Sequence, residues 1–286
     1  MIRCVNALQE GLAVFEKGRF CREKWEAYID SILPGSRDMF LSDMQACLDA
    51  GFGWEKDFLP VLSAVPGHPG LKELEENFRL VTQGLEEKVL SCFGRSVDAE
   101  IVLYLGLLGG AGWVTEVNGR LHVLLGAEKI LELSWQDADS MRGLVWHELG
   151  HVYHGQWGKL KQAAPDGEKR FVWQLFTEGI AMVFEQMLAG DAAYFHQDRQ
   201  GWKAWCDSRF PQILRDFAAD LLLMTPQNQR YFGDWASYEG KGDAGYYLGC
   251  RFVRHLMKEE AFDYLIGRDL ENIWRQFVQW TEKERV

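Results

Sequence analysis

The sequence predicts an α+β fold in which helices precede and follow a small, mostly antiparallel sheet. Over most of the chain, apolar residues recur at three- and four-residue spacing, as in amphipathic helices. Residues 95–134 differ, because they contain runs of β-branched and bulky apolar residues broken by glycine, which is typical of strands. The order along the chain is helices, then a short strand region, then helices again. This order indicates an α+β fold rather than alternating strands and helices of the α/β class.

Residues 1–92 are predicted to form an N-terminal helical region. The stretches LQEGLAVFEKG, REKWEAYIDSIL and DMFLSDMQACLDAGF each carry apolar residues at helical spacing. VPGHPG (residues 65–70) interrupts the pattern, since proline and glycine break helices. LKELEENFRLVTQGLEEKVLSCF then predicts one long amphipathic helix. The task of this region stays open.

Residues 93–286 are predicted to form a second domain that begins with strands. DAEIVLYLGLL is expected to be a strand, and GWVTEVNGRLHVLLG predicts a hairpin around Asn118-Gly119, because both residues accept a positive φ. GRLHVLLGAE (residues 119–128) is expected either to form an exposed edge that pairs with an extended peptide or to be covered by the N-terminal helices. After about residue 134 the pattern is helical to the end.

Composition and charge exclude several classes of function. The net charge of −11 argues against nucleic acid or an anionic membrane as a partner, because both require a basic surface. No stretch reaches the roughly 18 apolar residues of a membrane helix, and the first 20 residues lack the pattern of a signal peptide. The six cysteines form no CxxC pair, so we expect reduced thiols in a cytoplasmic protein rather than a disulfide framework.

The stretch LVWHELGHVYHG (residues 144–155) carries the clearest chemical signal. In a helix, His147 and His151 lie on one face about 6 Å apart along the axis, so both rings can bind one metal ion. Glu148 points roughly 100° around from His147, which suits a general base for a metal-activated water. The alternative is a chance match to HExxH in an ordinary helix.

The surroundings of the motif favour a metal. Ser134 with Asp137 resembles a capping pair at the start of the helix, and Gly155 can end it. Between residues 144 and 153, Glu148 alone carries a formal charge, and most of its neighbours are apolar. Imidazoles and a carboxylate in a buried helix are costly unless their polar atoms are satisfied, and a metal satisfies them.

A catalytic zinc ion needs a third protein ligand and one open position. Glu178 is the candidate, because it falls on the apolar stripe of a second predicted helix, VWQLFTEGIAMVFEQML, where a carboxylate needs a partner. A buried salt bridge with an arginine is the alternative for Glu178. Glu185 is expected to orient a ligand or to bind a neighbouring helix. His154 lies about 10 Å along the first helix from His147, which suits a place at the rim better than a ligand.

HELGH, followed 26 residues after His151 by TEGIA, resembles the gluzincin metallopeptidases, in which HExxH and a glutamate on the next helix bind zinc. A closer likeness is to a bacterial family of predicted zinc-dependent proteases of unknown substrate. That family shares the Gly-rich strand region, here LGGAGWVTEVNGRLHVLLG, and a late Gly-Tyr-x-x-Gly segment, here AGYYLGCRFV. The likeness covers roughly residues 95–258.

This resemblance implies a thermolysin-like (zincin) catalytic domain with a helical second lobe and one Zn²⁺ per chain. The implied ligands are His147, His151 and Glu178, with Glu148 as general base and Tyr246 facing the reacting carbonyl. The Gly-x-Met-Glu-Asn element with which aminopeptidases bind a free amino terminus is missing before HELGH, which argues against aminopeptidase activity.

Tyr246 is expected to stabilise the carbonyl oxygen by a hydrogen bond if DAGYYLGCRFVRHLM forms a helix. Gly245 and Gly249 would then leave room for a substrate. His255 is the rival donor, but nine residues on it lies on the opposite side of such a helix. An ordinary core aromatic is the further alternative for Tyr246.

The sequence therefore predicts a zinc metallopeptidase, a hydrolase that cleaves peptide or protein substrates through a metal-activated water. Two alternatives stay open: a catalytically silent zinc-containing binding or regulatory protein, and a metal hydrolase of a non-peptide substrate. The second alternative uses the same water-activating residues, so the sequence does not separate it from a peptidase.

Overall fold

The computed structural model describes residues 1–160, 167–233 and 235–284 of the chain. It shows an α+β fold with helices before and after a small sheet, as the sequence predicts. The chain divides into two compact units, Met1–Glu148 and Leu149–Val286, and the division falls inside one continuous helix. It does not fall near residue 92, because the first 92 residues and the strands belong to the same unit.

The sheet is mixed. The strands are β1 (Ile2–Asn6), β2 (Phe15–Glu16), β3 (Arg19–Phe20), β4 (Ala99–Tyr104), β5 (Gly112–Val117) and β6 (Arg120–Gly126). Four of them form one sheet in the order β1-β4-β6-β5, and β2 pairs with β3 in a separate hairpin. The β1–β4 and β4–β6 pairs are parallel, and β5–β6 is antiparallel. The predicted mostly antiparallel sheet is therefore wrong.

Local signals explain which part of the sheet prediction holds. The hairpin of β5 and β6 turns at Asn118 and Gly119, with φ of 52° and 76°, as their residue types predict. The partners of β4 have no such local signal. Because long connections separate β4 from β1 and from β6, both pairs can run parallel.

β6 is an interior strand, because β4 pairs with one side of it and β5 with the other. The prediction that residues 119–128 form the exposed edge is therefore wrong. The strand at this edge of the sheet is β5, which pairs with β6, and most residues of β5 are half-buried. β4 and β6 form the core of the first unit, with Ile101, Leu103, Val123 and Leu125 fully buried.

The first 92 residues contain strands as well as helices. The helices of the first unit are α1 (Leu8–Leu12), α2 (Arg22–Ile32), α3 (Arg37–Asp49), α4 (Leu59–Ala64), α5 (Leu71–Thr82), α6 (Leu85–Phe93) and α7 (Ala127–Glu132). The purely helical prediction fails near Lys17 and Gly18, whose φ values of 50° and 78° reverse the chain between β2 and β3. The long helix predicted from residue 71 divides before α6 at Gly84, where φ is 69°.

Helices follow the sheet to the end of the described chain, as predicted. They are α8 (Ala138–Trp157), α9 (Glu168–Ala189), α10 (Trp202–Asp220), α11 (Ala244–Leu256), α12 (Phe262–Leu265) and α13 (Leu270–Lys283). α9 is buried along most of its length and packs against α11 and α13. It is the central helix of the second unit.

The start of α8 differs by a few residues from the prediction. The Asp137 carboxylate accepts hydrogen bonds from the backbone N–H groups of Asp139 (3.1 Å) and Ser140 (3.0 Å), so Asp137 caps the helix. Ser134 lies outside it with a φ of 56°. Gly155 does not end the helix, because α8 continues beyond it.

Candidate metal centre

α8 carries the two predicted histidine ligands on one face. His147 and His151 are four residues apart in a regular helix, which places them one turn apart. The helix is held in place by apolar residues around them, since Val145, Leu149 and Val152 are fully buried. His147 is itself buried, whereas the His151 side chain is 15% exposed.

α9 brings the third predicted ligand to the same place. Glu178 lies between Leu175 and Met182, which are both fully buried and form the predicted apolar stripe. Glu178 Oε2 lies 3.2 Å from His151 Nε2, and the Glu178 side chain is 16% exposed. The structure thus places a histidine of α8 next to Glu178, as a shared metal ion requires, and the role of Glu178 as a ligand stays a prediction.

The three side chains form one group of ligating atoms among the described residues. His147, His151 and Glu178 each offer one donor atom, and these atoms lie within 4.8 Å of one another. Ligands at about 2.0–2.2 Å from a tetrahedral zinc ion lie roughly 3.4 Å apart, so small side-chain rotations are enough to accommodate the ion. Two imidazole nitrogens and a carboxylate suit zinc and leave its fourth position for a non-protein ligand. The residues therefore fit a metal, and the identity of that metal stays a prediction.

Glu148, the predicted general base, is buried beside the edge strand. It follows His147 on α8 and is 6% exposed. Its carboxylate lies against the first residue of β5: a Cβ built on Gly112 would stand 2.9 Å from Glu148 Oε1. The backbone of the edge strand therefore restricts where this carboxylate can point.

His154 is a core residue and not part of the group of ligating atoms found among the described residues. It is fully buried, and its ring lies 6.1 Å from the ring of Trp173 and 5.7 Å from that of Phe176. Burial, together with nearby His151, lowers the pKa of His154 from its ordinary value near 6.5 to about 3. The imidazole is therefore neutral over the physiological pH range.

Glu185 binds a histidine that the sequence did not connect with it. His196 Nδ1 lies 2.8 Å from Glu185 Oε2, and the backbone N–H of His196 donates to Oε1 at 3.1 Å. Both side chains are almost completely buried. The sequence predicts a ligand or a neighbouring helix as the partner of Glu185, whereas His196 lies in the loop after α9. In the sequence, the one indication that Glu185 is buried against a partner is its position on the same apolar stripe as Glu178.

α11 carries both predicted hydrogen-bond donors for the carbonyl oxygen. Tyr246 is half-buried, and its ring lies 5.8 Å from that of Phe232. The His255 ring lies 5.9 Å from the ring of Trp280 on α13. The two donors are nine residues apart on one helix, which corresponds to about 13 Å along its axis. Their roles stay predictions.

The glycines of α11 serve helix packing. A Cβ built on Gly249 would stand 2.3 Å from the carbonyl oxygen of Leu175 on α9, and one on Gly245 would stand 2.4 Å from the Phe232 ring. The expectation that these two glycines leave room for a substrate is therefore wrong, because protein atoms already fill that space.

No protein-family model, curated protein or solved structure matches this chain. No helix in the described part of the chain is long and apolar enough to cross a membrane. No disulfide joins any of the six cysteines, all of which lie in the described part of the chain.

Proposed function

We propose that this protein is a zinc-dependent peptidase of the gluzincin type. The observation that carries the proposal is the group formed by His147, His151 and Glu178, whose donor atoms lie within 4.8 Å of one another. Glu148 directly follows the first of these ligands, where a general base belongs in this type of site. A chance match to HExxH does not account for a carboxylate from a second helix beside the two rings.

Each residue of the proposed active site has a separate role in peptide hydrolysis. His147, His151 and Glu178 hold the metal. When bound, zinc supplies Lewis-acid chemistry that polarises a carbonyl group and acidifies water. Glu148 takes a proton from the attacking water and passes it to the leaving amine. Tyr246 donates a hydrogen bond to the carbonyl oxygen as negative charge develops there.

A peptide is the substrate that the edge strand favours. Among the described strands, β5 pairs with β6 and lies at the end of the sheet, and its first residue lies against the Glu148 carboxylate. The outer backbone groups of an edge strand can pair with an extended peptide and hold it in register. Such pairing would bring a peptide bond next to the proposed base, which favours a peptidase over a hydrolase of other substrates.

We further propose a cytoplasmic protein with no nucleic acid or membrane as partner. Six cysteines that form no disulfide with one another suit a reducing compartment. The net charge of −11 is unfavourable for binding to phosphate backbones or anionic lipid surfaces.

The decisive experiment compares wild type with Glu148→Gln. Wild type is expected to bind one zinc ion per chain and to cleave members of a fluorogenic peptide library. Glu148→Gln should keep the zinc and lose on the order of 100-fold or more in cleavage rate, because the amide cannot accept the proton. Zinc content is measured by plasma mass spectrometry.

Glu132→Gln, at an exposed position of α7, is the matched control and should behave as wild type. Full activity of Glu148→Gln would refute the proposed mechanism. One zinc per chain without cleavage of any library peptide would instead favour a zinc-containing binding protein.

A further inference from the structure

The first residue of β5 has no room for a side chain. A Cβ built on Gly112 would stand 2.8 Å from Leu144 Cδ1, 2.9 Å from Glu148 Cγ and 2.9 Å from Glu148 Oε1. Contacts this short are not found in folded proteins, so an alanine here must displace the side chains of α8. A side chain at position 112 would therefore push the Leu144 and Glu148 side chains out of their present positions.

The loop that leads into Gly112 is held by a buried carboxylate that the proposed reaction does not use. Glu128, on α7, is 1% exposed. Its Oε2 accepts a hydrogen bond from the backbone N–H of Gly106 at 2.8 Å, and its Oε1 accepts one from Leu108 at 3.0 Å. Hydrogen bonds to a carboxylate are among the stronger ones in proteins. They fix the loop where Leu108 adopts a φ of 63°, which is unfavourable for a leucine.

This loop comprises residues 105–111 and is here called the glycine loop. Contacts hold it at both ends. At its start, a Cβ on Gly106 would stand 2.5 Å from Glu128 Oε1, so the chain and the carboxylate are in direct contact. At its end, the backbone N–H of Gly126 donates to the Ala111 carbonyl at 3.0 Å. The position of Gly112 thus depends on the hydrogen bonds that hold the glycine loop.

We propose that Gly112 and Glu128 are positioning residues for the general base. The Glu128 carboxylate fixes the glycine loop, the loop fixes the backbone of Gly112, and that backbone sets the position of the Glu148 carboxylate. Neither residue touches the substrate carbonyl or the metal ligands in this role. The inference rests on the proposed function, since it assigns the reason for which Glu148 must be held in place. A base works only within hydrogen-bond reach of its proton, so small displacements are costly.

The activity test compares Gly112→Ala with Gly109→Ala. Gly109 lies in the same loop, is exposed and has open space around the position of a Cβ. Gly112→Ala is expected to keep one zinc per chain and to lower kcat on the order of 100-fold, whereas Gly109→Ala keeps the wild-type kcat. A wild-type kcat for Gly112→Ala would overturn the inference.

A stability test needs no catalysis and separates this inference from the proposed function. In metal-free protein, Gly112→Ala should lower the urea midpoint of unfolding. In a Glu148→Ala background the same change should lower it by no more than half as much, because the crowded Cγ and Oε1 atoms are gone. Equal shifts of the urea midpoint in both backgrounds would show that a side chain at position 112 does not displace Glu148, and would overturn the inference. If the shifts differ but wild type cleaves no peptide, the contact stands and the proposed function fails.

Glu128→Gln tests the other positioning residue. The glutamine amide group must face one of the two N–H donors, so one hydrogen bond is lost. We expect the amides of Gly106 and Leu108 to exchange with solvent about tenfold faster and kcat to fall, with unchanged zinc content. Glu132→Gln on the same short helix is the control. Unchanged exchange and unchanged kcat in Glu128→Gln would refute the part assigned to Glu128.

Discussion

Among single residues, two glutamates of α9 differ in function because different histidines contact their carboxylates. Glu178 and Glu185 lie seven residues apart on one stripe, so the sequence presents both as candidates for the same task. Glu178 lies 3.2 Å from His151 of α8, whereas Glu185 lies 2.8 Å from His196. Glu185 is completely buried, and Glu178 is partly exposed. The buried contact between Glu185 and His196 stabilises the loop after α9, whereas the partly exposed pair of Glu178 and His151 can accept an ion.

Glutamine variants of these two residues are expected to separate the roles. Glu178→Gln should lower zinc affinity by about 100-fold or more, because it removes an anionic ligand, with little change in the free energy of unfolding of the metal-free protein. Glu185→Gln should keep zinc affinity and lower that free energy by about 2 kcal/mol or more, because His196 loses its buried partner. Competition with a zinc-binding dye and urea unfolding measure the two quantities. Loss of zinc in Glu185→Gln with full retention in Glu178→Gln would contradict the assignment.

His154 is expected to make the protein sensitive to acid. Its pKa is lowered to about 3 in the folded protein by burial, against an ordinary value of 6.5. As pH falls below about 6.5, the unfolded chain binds a proton that the folded protein does not, so stability is lost progressively down to about pH 3.

The matched variant is His154→Phe, which keeps a planar ring between Trp173 and Phe176. From pH 7 to pH 4, metal-free wild type should lose about 3 kcal/mol more of its free energy of unfolding than this variant. Urea unfolding at the two pH values measures the difference. Equal losses would show that His154 does not titrate in this way.

At the scale of elements, glycines set how closely the helices of the second unit pack. A Cβ on Gly179 of α9 would stand 2.2 Å from the carbonyl oxygen of Gly249 on α11. On α8, a Cβ on Gly150 would stand 2.7 Å from the Cα of Ala181. α9 therefore approaches α11 and this end of α8 at backbone distance. Glu178, next to Gly179, is held by a helix that can hardly shift.

Alanine at Gly179 and at Gly155 should have opposite effects. Gly179→Ala is expected to lower the free energy of unfolding by about 2 kcal/mol or more, because backbone atoms must move apart. Gly155 lies inside α8 with only an ordinary contact at 3.7 Å to Leu160. Gly155→Ala should therefore raise the free energy of unfolding by up to about 1 kcal/mol, since alanine favours a helix interior. Urea midpoints decide both signs, and a destabilised Gly155→Ala would mean that the helix does not tolerate a side chain there.

At the scale of the whole molecule, the first strand makes the N-terminal region part of the sheet. β1 pairs with β4 from Ile2 opposite Ala99 to Asn6 opposite Leu103. The Trp25 indole of α2 donates to the carbonyl of Leu105 at 2.9 Å. Residues 1–92 therefore cover and extend the same sheet that ends in the edge strand β5. They are joined to the sheet by pairing and by buried hydrogen bonds, not by a linker.

A chain that starts at residue 93 tests this point. It would leave one side of β4 unpaired and expose Ile101, Val102 and Leu103, which are almost fully buried in the intact chain. Unpaired apolar edges aggregate, so this fragment is expected to scatter light and to show no cooperative thermal transition by circular dichroism. The full chain at the same concentration is the control. A monomeric fragment with a cooperative transition would show that residues 93–286 fold alone.

Features that repeat over a few residues can be predicted from the amino-acid sequence. The spacing of apolar residues in α8 and α9, with His147, Glu148 and His151 on one and Glu178 on the other, follows from helical periodicity. The turn at Asn118-Gly119 follows from two residue types. These features need no knowledge of the rest of the chain, because they depend on local backbone geometry.

Which strands and helices contact one another depends on the tertiary fold. Nothing in β4 shows that β1 and β6 are its parallel partners, because the pairing groups are backbone atoms that every residue carries. Likewise, the contacts of Gly112 with Glu148 and of Glu178 with His151 join residues that are distant in the chain. Such contacts arise from packing around a common core, and packing leaves no repeating pattern in the sequence.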